Sequence, residues 1–162
     1  MHFAGWLNAN PENGQFLPSN NIACGRDQIV DLGGFSRSFP LAAGEDRDFC
    51  DRWRERGWPI VQLLDSACIG HCHRLDHRGF WKQQSNYGRG AATLATFRRA
   101  RQQTHRKTGF GFLRLAVVMS LHSARGLRQS VVMTALALES QLAILVGRLQ
   151  QANQDRRQAR GH

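Results

Sequence analysis

Pro59-Ile60-Val61-Gln62-Leu63-Leu64 is the stretch on which the fold class turns. It is a short apolar run bounded by Pro59 and Asp65, and it reads as a buried strand. Ala67-Cys68-Ile69-Gly70-His71 reads as a second, shorter strand. Strand alternation would set Ile69, His71 and His73 on one face and Cys68, Gly70 and Cys72 on the other. Immediately upstream, Gly44-Glu45-Asp46-Arg47-Asp48-Phe49-Cys50-Asp51-Arg52-Trp53-Arg54-Glu55-Arg56 reads as a helix. Its acids fall in the first turn and its arginines near the end, the order the helix dipole favours, and Gly57 supplies the stop. Positions 49, 50 and 53 share its apolar face. An earlier short helix, Arg26 to Leu32, is stopped by Gly33-Gly34, and residues 8–21, rich in Asn, Pro, Gly and Ser, read as loop. Helices flanking a short mixed sheet give the expected class: α/β.

Downstream the character changes. Residues 77 to about 106 read as helix, with Gly88 and Gly90 interrupting its regularity. Residues 110–151 read as two helices broken near Gly126. The second, 131–146, is apolar nearly all round. Sixteen residues rise roughly 24 Å, short of a hydrocarbon core of about 30 Å, and Glu139 interrupts them. Residues 151–162 read as a frayed basic tail. The 162 residues carry 22 Lys and Arg against 12 Asp and Glu, a net +10. The charge is unevenly placed. Residues 1–81 hold 8 arginines against 10 acids, a net of −2, and residues 82–162 hold 14 basic residues against 2 acids, a net of +12. Such a split points to two jobs in one chain. A composition 41% hydrophobic and 21% charged excludes a collagen-like or wholly disordered chain. The opening Met1-His2-Phe3-Ala4-Gly5-Trp6 lacks a secretory pattern, and Cys24, Cys50, Cys68 and Cys72 read as reduced cytosolic thiols.

Two features carry chemistry. Glu45 and Asp46 follow a glycine at a helix start, where free backbone N–H groups can hold a carboxylate ionised. The plain reading is that Glu45, Asp46 and Asp48 cap the helix. His71 lies 25 positions after Asp46, at the exit of the second expected strand. At the edge of an α/β sheet the two could converge on one cleft. A carboxylate there can take a proton from an acceptor hydroxyl, and an imidazole can ligate a divalent metal. The plain alternative for His71 is a half-buried histidine bonded to backbone.

Five segments in order carry a resemblance: Asn21-Ile22-Ala23-Cys24-Gly25-Arg26, Leu32-Gly33-Gly34-Phe35, Gly44 to Arg52, Gly57, and Ala67-Cys68-Ile69-Gly70-His71-Cys72-His73-Arg74. Together with Gln84-Ser85-Asn86-Tyr87-Gly88-Arg89-Gly90, they make the chain resemble the C-terminal half of a family 2 glycosyltransferase. That resemblance implies a partial GT-A-like domain and inverting transfer of a sugar from a nucleotide-sugar donor to a glycan or lipid-linked hydroxyl acceptor in cell-envelope synthesis. It implies Asp46 as general base, Glu45 beside it positioning the acceptor, and Asn21 and Asp48 on the acceptor side. It also implies His71 as a ligand to Mg²⁺ or Mn²⁺ and Arg89 facing the departing diphosphate. Asp46-Arg47-Asp48 spells Asp-x-Asp but matches the late acidic motif, so the chain is expected to lack the nucleotide-binding half.

The domain expectation is a transferase portion over 1–107, a helical hairpin over 108–150 and the basic tail. Arg89, Arg98, Arg99, Arg101, Arg106 and Lys107 precede the apolar helices, a combination that favours a membrane interface over nucleic acid. The expected location is cytoplasmic, peripheral on the inner face of the membrane. The apolar helices could instead pack on a missing half or on a second copy. Two other readings stand beside the transferase. One is an inactive membrane-docking or interaction remnant. The other is a zinc-stabilised basic module using Cys68, His71, Cys72, His73 and His77, which lack two separated ligand pairs.

Overall fold

The structure is a computed structural model that describes residues 16–62, 75–102 and 127–160. The chain divides into two units, Met1–Arg74 and Leu75–His162.

In the first unit, a 3-10 turn at Ser19–Asn21 precedes helix α1, Arg26–Leu32, and helix α2, Glu45–Glu55. Helix α1 ends where the chain must turn left-handed. Gly33 adopts φ 76° and ψ 19°, a region costly for any residue with a Cβ. The Gly33 and Gly34 amides then reach back to the carbonyls of Val30 and Ile29, both at 3.0 Å, which is a Schellman closure of the helix end. Helix α2 begins after left-handed Gly44, without a side-chain cap, and its first-turn acids Glu45, Asp46 and Asp48 lie at the positive end of the dipole.

The core of this unit is the inner face of α2. Phe49, Cys50 and Trp53 are buried with Ile60, and Phe16, Leu17, Cys24, Leu32 and Trp58 pack around them. Rings run in series through it, Phe35 to Phe49 at 4.8 Å, Phe49 to Trp53 at 5.9 Å and Trp53 to Trp58 at 4.8 Å between centroids. Arg52 ties the two helices together. Its Nε bonds Asp48 at 2.8 Å, while its two terminal nitrogens donate to the carbonyls of Leu32 and Gly34 at 2.7 Å each. These are the exposed carbonyls that the end of α1 leaves over.

The expected α/β class is overturned. Every regular element among the described residues is helical, and none is a strand. Pro59–Gln62, the described part of the expected first strand, is irregular chain laid against α2. Ile60 is buried there, and the carbonyl of Pro59 accepts a hydrogen bond from the Trp53 indole at 3.0 Å. Of the described part only Ile60 is covered, by α2, while Val61 is exposed, so that burial is supplied by a helix and not by a ladder. The rest of that run and the expected second strand fall outside the described residues.

The second unit is a pair of long helices, α3 over His77–Ala100 and α4 over Leu127–Arg160. The Asp76 side chain caps α3 by accepting from the Gly79 amide at 2.7 Å. Gly88 and Gly90 do not interrupt this helix; both are buried within it. Likewise α4 runs without a break through the stretch expected to fray, as far as Arg160. Partners across the pair rise together in sequence: His77 with Glu139, Gln84 with Ser140, and Arg89 with Gln151 and Gln154. The two helices are therefore parallel. The first expected tail helix, 110–125, lies outside the described residues.

Candidate functional site

The parallel pair closes on small residues. A Cβ placed on Gly88 would fall 2.1 Å from the carbonyl oxygen of Ile144, and one on Gly147 would fall 2.0 Å from that of Ser85. Backbone thus meets backbone, as small residues four apart allow. Gly88 and Ala92 supply that spacing on α3, and Ala143 and Gly147 supply it on α4, where Ala143 is fully buried. Polar side chains complete the contact. The Ser140 hydroxyl donates to Gln84 Oε1 at 2.8 Å, and Arg89 donates to Gln151 at 3.2 Å and Gln154 at 3.0 Å. Gln151 is itself buried and donates to Asp155 at 2.9 Å.

Level with Glu139, α3 begins. The twelve residues of α4 before that point, about 18 Å of helix, run on past the start of α3. They are apolar on several sides, with Val131, Val132, Met133 and Leu138 exposed. By length and composition, Arg128–Arg160 is a candidate membrane span, and only 11% of its most apolar stretch is buried. A core helix of a soluble protein would be mostly covered. The exposed basic residues around this element are numerous. The described residues of the second unit carry eleven Arg and Lys against three acids, a net +8.

The sequence-derived site residues scatter. Glu45 and Asp46 open α2, and the Ser19 amide of the turn that ends at Asn21 reaches the Asp46 carboxylate. Burial pushes the Asp46 carboxyl above its ordinary value, against the opposing pull of the Arg47 and Ser19 amides. One oxygen of Glu45 is buried and finds no hydrogen-bond partner among the described residues. Asp48 points inward instead, 1% exposed and bonded to Arg52. Arg89 belongs to the second unit, where it holds the helix pair together. His71 is outside the described residues, as are His73, Cys68 and Cys72. Among the described residues no three His, Cys, Asp or Glu side chains gather as a metal site for Mg²⁺ or Mn²⁺.

Nearby, a cleft of about 280 Å³ is lined by apolar residues including Leu17, Ile22, Trp53 and Ile60, with Cys50 at its wall. Desolvation pushes the Cys50 thiol up to about 11, and it lies 3.6 Å from the carbonyl of Leu17 as a hydrogen-bond donor. It is a neutral packing group at physiological pH.

Sequence reading took Gly88 for an interruption and overlooked Gly147, Ala143 and Gln151. The signal was present as small residues four apart on both helices. Compared with protein-family models, with curated proteins and with solved structures, the chain matches none. With no family match and no sheet among the described residues, the resemblance to a family 2 glycosyltransferase is overturned.

Proposed function

We propose that this chain is a membrane-docking protein that attaches to an anionic, cytoplasm-facing membrane surface through the projecting start of α4. The observation that carries the reading is the exposure of Val132 and Met133 at 51 and 43% on a segment that α3 leaves uncovered. Exposed apolar side chains on adjacent sides of one helix need a nonaqueous neighbour. Eighteen ångströms of such helix is too short to span and suits burial in the interface between headgroups and acyl chains. Beyond Glu139, α3 runs beside α4, with Gln84 bonded to Ser140, and also carries Lys82, Gln83 and Asn86, groups that belong in water or among headgroups. The positive balance of the second unit adds attraction to anionic lipid. The first unit then serves as the cargo held at the surface.

Vesicle flotation tests this. The chain is expected to rise with vesicles containing phosphatidylglycerol, and to do so less at high salt because surface charge attraction is screened. Recovery of all the protein at the bottom of the gradient, whatever the lipid, would refute the reading.

A further inference from the structure

We infer that two copies of this chain associate through a leucine seam on α4, antiparallel and across a two-fold axis near residue 140. Val131, Ala135, Leu138, Leu142, Leu145 and Leu149 recur at intervals of four, three, four, three and four. That is the a/d repeat of a coiled coil over three heptads. All six are exposed, and the large ones stand 52 to 60% in solvent. The seam faces away from α3. Ser140, Gly147 and Gln154, seven residues apart and opposite the seam in the heptad, are the residues that meet Gln84, Ser85 and Arg89. One helix therefore carries two opposed contact faces, and only one of them is filled within the chain.

The width of the exposed stripe selects protein as its occupant. From Leu138 onward the large exposed apolar residues of α4 are Leu138, Leu142, Leu145 and Leu149. The exposed neighbours Arg148 and Gln150 are polar. A face lying in lipid needs a broad apolar arc, whereas a strict a/d line is the narrow seam of helix pairing. The arc is broad only before Leu138, in the segment assigned to the membrane.

Geometry and charge select the second copy and its direction. With the axis near residue 140, Leu138 meets the partner's Leu142, Ala135 meets the partner's Leu145, and Val131 meets the partner's Leu149. Each a position then faces a d position, and the small Ala135 falls opposite a leucine. A self-complementary patch of this kind closes as a symmetric pair. A parallel pair would bring the Arg156, Arg157 and Arg160 clusters of both copies side by side, and the antiparallel one keeps them apart. At 52 to 60% exposure the five large residues each leave roughly 100 Å² in solvent, about 500 Å² per copy before flanking residues are counted. A standard interface uses about 800 Å² per partner. The seam accordingly fits a reversible dimer that forms in the micromolar range.

Sedimentation equilibrium of the full chain without lipid, from about 1 to 200 μM, reads this directly. The expected mass moves from the 18.3 kDa monomer to twice that value as concentration rises. Leu142→Glu with Leu145→Glu should hold the chain monomeric at every concentration, with helical circular dichroism unchanged because both residues are exposed. The milder Leu142→Gln with Leu145→Gln should weaken association at least tenfold. The glutamate pair should still float with anionic vesicles, which separates this seam from the membrane contact. A chain that is monomeric throughout, or a dimer that both variant pairs leave intact, would overturn the inference.

Discussion

Arg52 divides its guanidinium among three acceptors, the Asp48 carboxylate and the carbonyls of Leu32 and Gly34. Asp48 is all but sealed from solvent, while Arg52 keeps 20% of its side chain exposed. Removing the arginine would take an ion-pair partner from buried Asp48 and the donors from two carbonyls at the end of α1. Arg52→Ala should cost about 2–4 kcal/mol, below the full buried-pair range because some solvent reaches the site. Urea unfolding followed by tryptophan fluorescence would measure it. Lysine at 52 should restore little, since an ammonium cannot fork to three acceptors. Asp46 has the opposite character. Burial raises its carboxyl in the folded chain, so ionised Asp46 opposes folding at neutral pH. Asp46→Asn should therefore stabilise the chain at pH 7. The gain should shrink as pH falls through the raised value and vanish below 3.8, where the native side chain is protonated in both states. Thermal melts of both proteins across pH 3 to 7 check the sign. The sequence showed all three acids at a helix start, and the capping reading needed nothing more. It could not tell that Asp48 turns inward, because an Asp-Arg pair four apart looks the same on a solvated face.

At the scale of elements, the ends of α1 and α2 were legible because Gly33 and Gly57 occupy left-handed conformations that other residues avoid. The strand was not legible as what it is. Ile60 is buried between the exposed Pro59 and Val61, and nothing in an apolar run says whether a sheet or the face of α2 takes up such a residue. Gly88 and Gly90 misled in the same way. A glycine lowers helix propensity, so the pair reads as a break until a second helix is placed against it. Here the missing Cβ is what the packing requires, and the approach of Ile144 to Gly88 leaves no room for a larger group. Gly88→Leu or Gly147→Leu should separate α3 from α4 and cost about 3 kcal/mol or more, at the upper end of the usual range for overpacking. Hydrogen exchange of the amides of α3 should rise in either variant.

For the whole molecule, the imbalance of charge between the two halves of the sequence already pointed to two jobs. The structure sets the division between Arg74 and Leu75, close to where the charge changes sign. The membrane expectation came from an apolar stretch judged too short to span. The structure gives a longer helix, but α3 covers one side of it from Glu139 onward and leaves the start bare. Which part of an apolar helix meets solvent is a property of its partner, and no pattern within 131–146 records it. Flotation of the native chain beside Val132→Glu with Met133→Glu tests the membrane claim most directly. Both side chains are exposed and lie off the leucine seam, so the variant should stay folded and keep its self-association. The native protein is predicted to float with phosphatidylglycerol vesicles and the variant to remain at the bottom. Equal flotation of the two proteins, or none by either, would contradict it.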